Sequence, residues 1–175
     1  MTLSPAELSE LIRLVPDFPK PGIQFKDITP LLKHPQAFKS SITHMAELFK
    51  GETIHAIAAP EARGFIFGTC LAVEMGCGFL PIRKPNKLPY ETKSHTYDLE
   101  YGTDTVEMHT DAVGPGDRVL IVDDVLATGG TMAACAELVT GMGGSIVGCG
   151  FLLELGFLKG REKLKDHRIE VVLPE

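Results

Sequence analysis

The strongest constraint on this chain is a rhythm that begins at Ile54: short apolar runs alternate with helical patterns over 54–59, 64–75, 78–82, 118–122, 130–142 and 146–153. Strand, helix, strand repetition of this kind predicts an α/β protein with a largely parallel central sheet flanked by helices, and 169–173 supplies a plausible last strand. Gly76, Gly78 and the 141–144 glycine cluster fall where helices should end, so they read as caps and turns. A length of 175 residues fits one domain, 1–175, with room for a real core.

Two segments stand outside the rhythm. Ser4-Pro5-Ala6-Glu7 places a capping hydroxyl, a first-turn proline and a glutamate three residues after the cap, which predicts a short amphipathic helix carrying Leu8, Leu11 and Ile12 on one face. The proline-rich stretch 15–22 then reads as a stiff extended arm leading to Ile23-Gln24-Phe25. The other exception, 83–107, is long, charged and mixed, and is expected to be a mobile hood carrying a short hairpin.

Function is most legible between Arg118 and Leu138. A buried strand ends in Asp123-Asp124, passes through Val125-Leu126-Ala127-Thr128-Gly129-Gly130-Thr131 and enters a helical pattern at Met132. Two carboxylates at the carboxyl end of a central strand lie where open α/β sheets bind ligands, and they can accept hydrogen bonds from adjacent ribose hydroxyls. The glycines let backbone N–H groups and a helix N-terminus surround a phosphate, with Thr128 and Thr131 adding hydroxyls. The competing reading is a Gly-rich turn beside two solvated aspartates. Neither GxxxxGK[ST] nor GxGxxG occurs, which counts against a P-loop or a dinucleotide site.

Composition removes other classes. Net charge is −6 with no long basic run, against a surface built for nucleic acid. No apolar run approaches the roughly 18 residues of a membrane span and the N-terminus has no signal-peptide pattern, so a cytoplasmic protein without nucleic-acid or membrane partners is expected. Four cysteines without a CxxC pair and six histidines without ligand spacing suggest core or surface roles and no dedicated metal site.

The string VLIVDDVLATGGT resembles the phosphoribosyl-diphosphate binding motif of the type I phosphoribosyltransferases. The resemblance extends, in order, through PDFPKPGIQFKDITPLL, EARGFIFG, IRKPNKLP, YDLEYG and LLELGFLKGREKL to the adenine-specific branch of that family. It implies the type I phosphoribosyltransferase fold with a flexible hood, 1–30 forming the N-terminal helix and base-binding arm. It also implies transfer of a phosphoribosyl group to adenine, with Mg2+ neutralising the leaving pyrophosphate mainly through substrate oxygens and water, and a homodimer. Asp123 and Asp124 would take the ribose hydroxyls, and Ala127, Thr128, Gly129, Gly130 and Thr131 the 5′-phosphate. Glu61, Ala62 and Arg63 would meet the pyrophosphate at a turn where the family has a non-proline cis peptide, here Glu61-Ala62, joined by Arg83, Lys84 and Lys87. Without the resemblance those three cations read equally as a solvated loop. Phe25 would stack on the base opposite Leu155, with Gln24 and Lys26 contacting it through backbone groups, although Phe25 alone reads as a core aromatic. Glu100 resembles the acid/base for the adenine proton, with Tyr101 helping to close the hood; by itself Glu100 is an exposed loop acid. The alternatives are a 6-oxopurine transferase and a non-catalytic regulator of the same fold.

Overall fold

The computed structural model describes residues 2–98 and 102–174. Chain order is α1 (Pro5–Ser9), β1 (Arg13–Pro16), β2 (Gln24–Asp27), α2 (Thr29–Lys33), α3 (Pro35–Leu48), β3 (Ala56–Pro60), α4 (Arg63–Met75), β4 (Gly78–Ile82), β5 (Thr92–Asp98), β6 (Thr103–His109), β7 (Arg118–Leu126), α5 (Gly130–Thr140), β8 (Ser145–Glu154) and β9 (Ile169–Leu173). Strands β4, β3, β7, β8 and β9 form one parallel sheet in that order.

Strand β7 shows why the apolar runs are continuous. Leu120 and Val122 point into a core built with Leu31, Met45, Phe67 and Leu71 of α2, α3 and α4. Val119 and Ile121 point the other way, against Met132, Cys135, Leu138 and Val139 of α5 and Val106 and Met108 of β6. A parallel strand covered on both faces has no polar side to alternate with. All four cysteines are free; Cys135 and Cys149 are core side chains, and burial pushes the Cys149 thiol up to about 12.

The N-terminal helix forms as its sequence predicts. Ser4 and Glu7 make both halves of a capping box, and Leu8 is buried. The arm differs from expectation. Residues 13–16 and 24–27 pair as an antiparallel hairpin, with Pro16 opposite Gln24 beside its turn, in a two-stranded sheet where a missing N–H breaks no interior ladder. Its turn is closed by Asp17, which accepts from the Gly22 N–H at 2.7 Å. Helices α2 and α3 were not foreseen, although Pro30 and Pro35 mark their first turns and Ala37, Ser41 and Met45 form a buried stripe four residues apart. A further difference bears on the site: β7 does not stop at Val122 but runs through both aspartates to Leu126, because β8 continues to pair with it as far as Glu154.

Candidate functional site

The carboxyl ends of β3, β4 and β7 open onto a cleft of about 350 Å³. One wall is the loop from Asp123 to Met132; the other is the turn from Pro60 to Arg63 together with Arg83 and Lys84. The N-termini of α4 and α5 both reach it, so two sets of unpaired N–H groups and two positive helix ends serve one small space.

The loop wall is made largely of backbone. Gly129 caps α5 at φ 77, and a Cβ on it would lie 2.5 Å from the Gly160 carbonyl oxygen. A Cβ on Gly160 would in turn strike the carbonyl oxygen of Ala127. Two glycines thus let the 3₁₀ segment Gly160–Leu164 press directly on the loop and fix its shape from behind.

Within that wall the two acids differ. Asp124 is almost fully buried and accepts from Arg63 Nε at 2.5 Å. Asp123 accepts from the Asp124 N–H at 2.9 Å. Burial, then repulsion by Asp124, raises the Asp123 carboxyl well above its usual range. It is a group whose charge is costly until a ligand supplies donors.

The opposite wall consists of cations that already have partners. Arg63, expected to meet the pyrophosphate, is held by Asp124 and lies with its guanidinium carbon 5.8 Å from the centre of the Phe25 ring. Glu61, expected to meet the pyrophosphate, faces the basic segment: its carboxylate accepts from the Lys84 N–H at 2.7 Å and Arg83 Nε at 3.3 Å. Burial works to raise the Glu61 carboxyl, but these bonds outweigh it and hold it below its usual range. The Glu61-Ala62 peptide is cis, as the resemblance implied. Lys84 Nζ bonds to Asp104. Lys87 does not line the cleft; its carbonyl accepts from Arg83 Nη1 at 3.2 Å.

The base-binding candidates do not line this cleft. Phe25 reaches it through Arg63 and is braced edge-on by Phe18, with ring centres 5.2 Å apart. Leu155 is tied to the loop strand by its N–H, which donates to the Leu126 carbonyl at 2.9 Å. Gln24 is exposed in the hairpin, and Lys26 borders a separate cavity with Ser9, Leu14 and Leu153. Glu100 and Tyr101 lie outside the described residues.

A family model for the Phosphoribosyl transferase domain matches residues 27–173. The chain belongs to the phosphoribosyltransferase family. It is similar to an adenine phosphoribosyltransferase of Thermobifida fusca, 59% identical over 165 residues that cover 94% of each chain. Among solved structures, the adenine phosphoribosyltransferase of Thermoanaerobacter pseudethanolicus superposes with a TM-score of 0.96 at 53% identity, covering 98% of this chain and all of that one. That of Saccharomyces cerevisiae, complexed with D-2,5-dideoxy-2,5-imino-altritol 1,6-bisphosphate and adenine, has a TM-score of 0.91 at 40% identity, covering 97% of this chain and 98% of its own.

Two residues of this phosphoribosyltransferase that border the site went unnoticed in its sequence. Tyr97 and Asp104 face each other across the β5–β6 hairpin and reach Thr131 and Lys84. Alternation along 92–98 signals a strand, but alternation alone does not say which residue of the partner strand stands opposite Tyr97.

Proposed function

We propose that this enzyme transfers the 5-phosphoribosyl group from phosphoribosyl diphosphate to adenine, giving AMP and pyrophosphate. The observation that carries this reading is the meeting, in one cleft, of an acid pair and a Gly- and Thr-rich loop at a helix N-terminus with a facing wall of cations. Those are the complements of ribose hydroxyls, a 5′-phosphate and a pyrophosphate. Adenine is favoured over a 6-oxopurine because relatives at 52–59% identity over nearly the full chain carry the name adenine phosphoribosyltransferase.

The loop from Ala127 to Thr131 binds the 5′-phosphate with backbone N–H groups, the α5 N-terminus and two hydroxyls. Asp123 and Asp124 accept from the ribose hydroxyls, and Asp124 gives up Arg63 in doing so. Arg63, Arg83 and Lys84 hold the pyrophosphate; Lys87 adds longer-range charge. Phe25 and Leu155 enclose the base, with Gln24 and Lys26 giving backbone contacts. Mg2+ on the substrate would neutralise charge on the leaving pyrophosphate. That ion would be held mainly through substrate oxygens and water, with the Asp123 and Asp124 carboxylates, which line the cleft, able to accept from its water shell. Glu100 exchanges the adenine proton as the bond to the anomeric carbon forms, and Tyr101 helps close the hood over a cation that water would destroy. The working form is a cytoplasmic homodimer.

Steady-state assays with adenine, hypoxanthine and guanine, each with phosphoribosyl diphosphate and Mg2+, test the reading. AMP formation with adenine strongly preferred is expected. Comparable kcat/KM for hypoxanthine would replace it with a 6-oxopurine transferase, and binding without turnover would replace it with a regulator.

A further inference from the structure

The hood hairpin makes a hydrogen-bond connection to the phosphate loop. Tyr97 Oη lies 3.0 Å from Thr131 Oγ1 and 3.2 Å from Asp104 Oδ2, and the same Asp104 oxygen takes the Lys84 ammonium. The Tyr97 ring lies over the start of α5: a Cβ on Gly130 would meet it at 3.7 Å. Every member of this chain is at least partly buried.

Counting protons fixes the direction of each bond. An ionised carboxylate only accepts, an ammonium only donates, and the tyrosine has a single proton. Burial, helped by the Asp104 carboxylate, outweighs the lowering by Thr131 and Lys84 and leaves the Tyr97 hydroxyl with a raised pKa, so it keeps that proton. Burial works to raise the Asp104 carboxyl, but the Lys84 ammonium and the hydrogen bonds from the Thr105 N–H and Tyr97 together outweigh it and hold Asp104 below its usual range. Tyr97 therefore donates to charged Asp104, the stronger acceptor, and Thr131 donates to Tyr97. In this arrangement the Thr131 proton is turned toward the hood.

We propose that Tyr97 is a positioning residue for the 5′-phosphate: its hydroxyl holds the Thr131 rotamer and reverses its bond when phosphate arrives. Thr131 then donates to the phosphate while Tyr97 donates to Thr131, and Asp104 is left to Lys84. Between Tyr97 and its two partners only protons have to turn, since both oxygens already lie at hydrogen-bond distance. The inference rests on reading this cleft as the phosphoribosyl-diphosphate site.

The test is Tyr97→Phe, which keeps the ring and removes the hydroxyl. Wild-type enzyme must first make AMP; if it makes none, the functional reading falls, whatever Tyr97 does. Given turnover, KM for phosphoribosyl diphosphate and the Kd of ribose 5-phosphate should each rise roughly three- to tenfold, the worth of one hydrogen bond. The Kd of pyrophosphate and the KM for adenine should stay within about twofold, since Lys84 keeps Asp104. Because Tyr97 acts through Thr131, adding Tyr97→Phe to Thr131→Val should cost nothing further. An unchanged Kd for ribose 5-phosphate overturns the proposal, as does equal weakening of pyrophosphate, additivity in the double variant, or a fall in melting temperature large enough to make the hydroxyl structural.

Discussion

The two walls of the cleft are built on opposite principles. Beyond the acid pair, the β7–α5 loop presents backbone N–H groups and a helix end, fixed from behind by Gly160, and its one side-chain partner is Tyr97 on Thr131. The facing wall presents side-chain cations that are each neutralised within the protein: Arg63 by Asp124, Arg83 by Glu61 and Lys84 by Asp104. A backbone cradle costs little to keep empty because its dipoles are already solvated or hydrogen-bonded. Clustered cations would repel one another, so each is held in an ion pair, which the proposed substrate would have to exchange. The loop wall should therefore govern where the substrate sits, and the cationic wall and hood how the departing group and base are handled.

The largest test separates chemistry from binding. Glu100→Gln and Glu100→Leu should lower kcat by roughly a hundred- to ten-thousandfold, Leu more than Gln, while the Kd of phosphoribosyl diphosphate holds. If the Leu variant kept its kcat, the proton would be handled elsewhere and the hood would be only a cover.

Next in size is the loop wall itself. In Gly160→Ala a methyl group meets the Ala127 carbonyl, and the β7–α5 loop has to move. A displacement near 1 Å can cost about a hundredfold in rate, so kcat/KM should fall by about that factor, with KM for phosphoribosyl diphosphate absorbing more of it than KM for adenine. An undisturbed KM would show the loop to be adaptable and would remove the contrast between the walls.

How much of this could be read from the chain divides along the same line. The loop wall was legible: Asp123, Asp124 and the glycines are contiguous, and a strand, an acid pair and a Gly-Thr turn carry their geometry with them. The parallel sheet was legible because buried strands read as unbroken apolar runs. The cationic wall was named but not its pairings, since Arg63 and Asp124 are 61 positions apart and which carboxylate takes which cation is set by packing. Tyr97 went unseen for a related reason: its partner Thr131 is 34 positions away across two elements. The N-terminal hairpin was missed because Pro16 argues against a strand in general and yet is tolerated at the end of a two-stranded one.

A third test asks whether the acid pair is stored at a cost, as the contrast requires. Asp124→Asn should weaken the bond to Arg63 and lower the melting temperature, whereas Asp123→Asn should raise it at neutral pH, although both lose activity severalfold or more as charge-assisted bonds to ribose are lost. Equal shifts in the same direction would mean that neither carboxylate is strained.

The smallest effect, and the most direct reading of stored charge, is in stability against pH. Asp123 binds its proton more tightly in the folded chain than in the unfolded one, where a carboxyl titrates near 3.9. Its contribution is favourable below that value, where both states are protonated, and is lost as pH rises toward the raised folded value. Glu61 and Asp104 behave in the opposite sense. Their carboxyls are held low by Lys84 and Arg83, so the stability they bring is complete above the unfolded value and is lost as pH falls through the lowered one. Melting temperature should therefore drop on the acid side in wild type and in Asp123→Asn alike. The gap between the two proteins should open only as pH climbs from about 4 toward neutrality, each kcal/mol appearing as about 2–4 °C in a chain of this size. Saturating phosphoribosyl diphosphate with Mg2+ should narrow the gap by giving Asp123 the donors it lacks. A constant difference at every pH would place the effect of Asn in packing beside Gly64 and not in the buried charge.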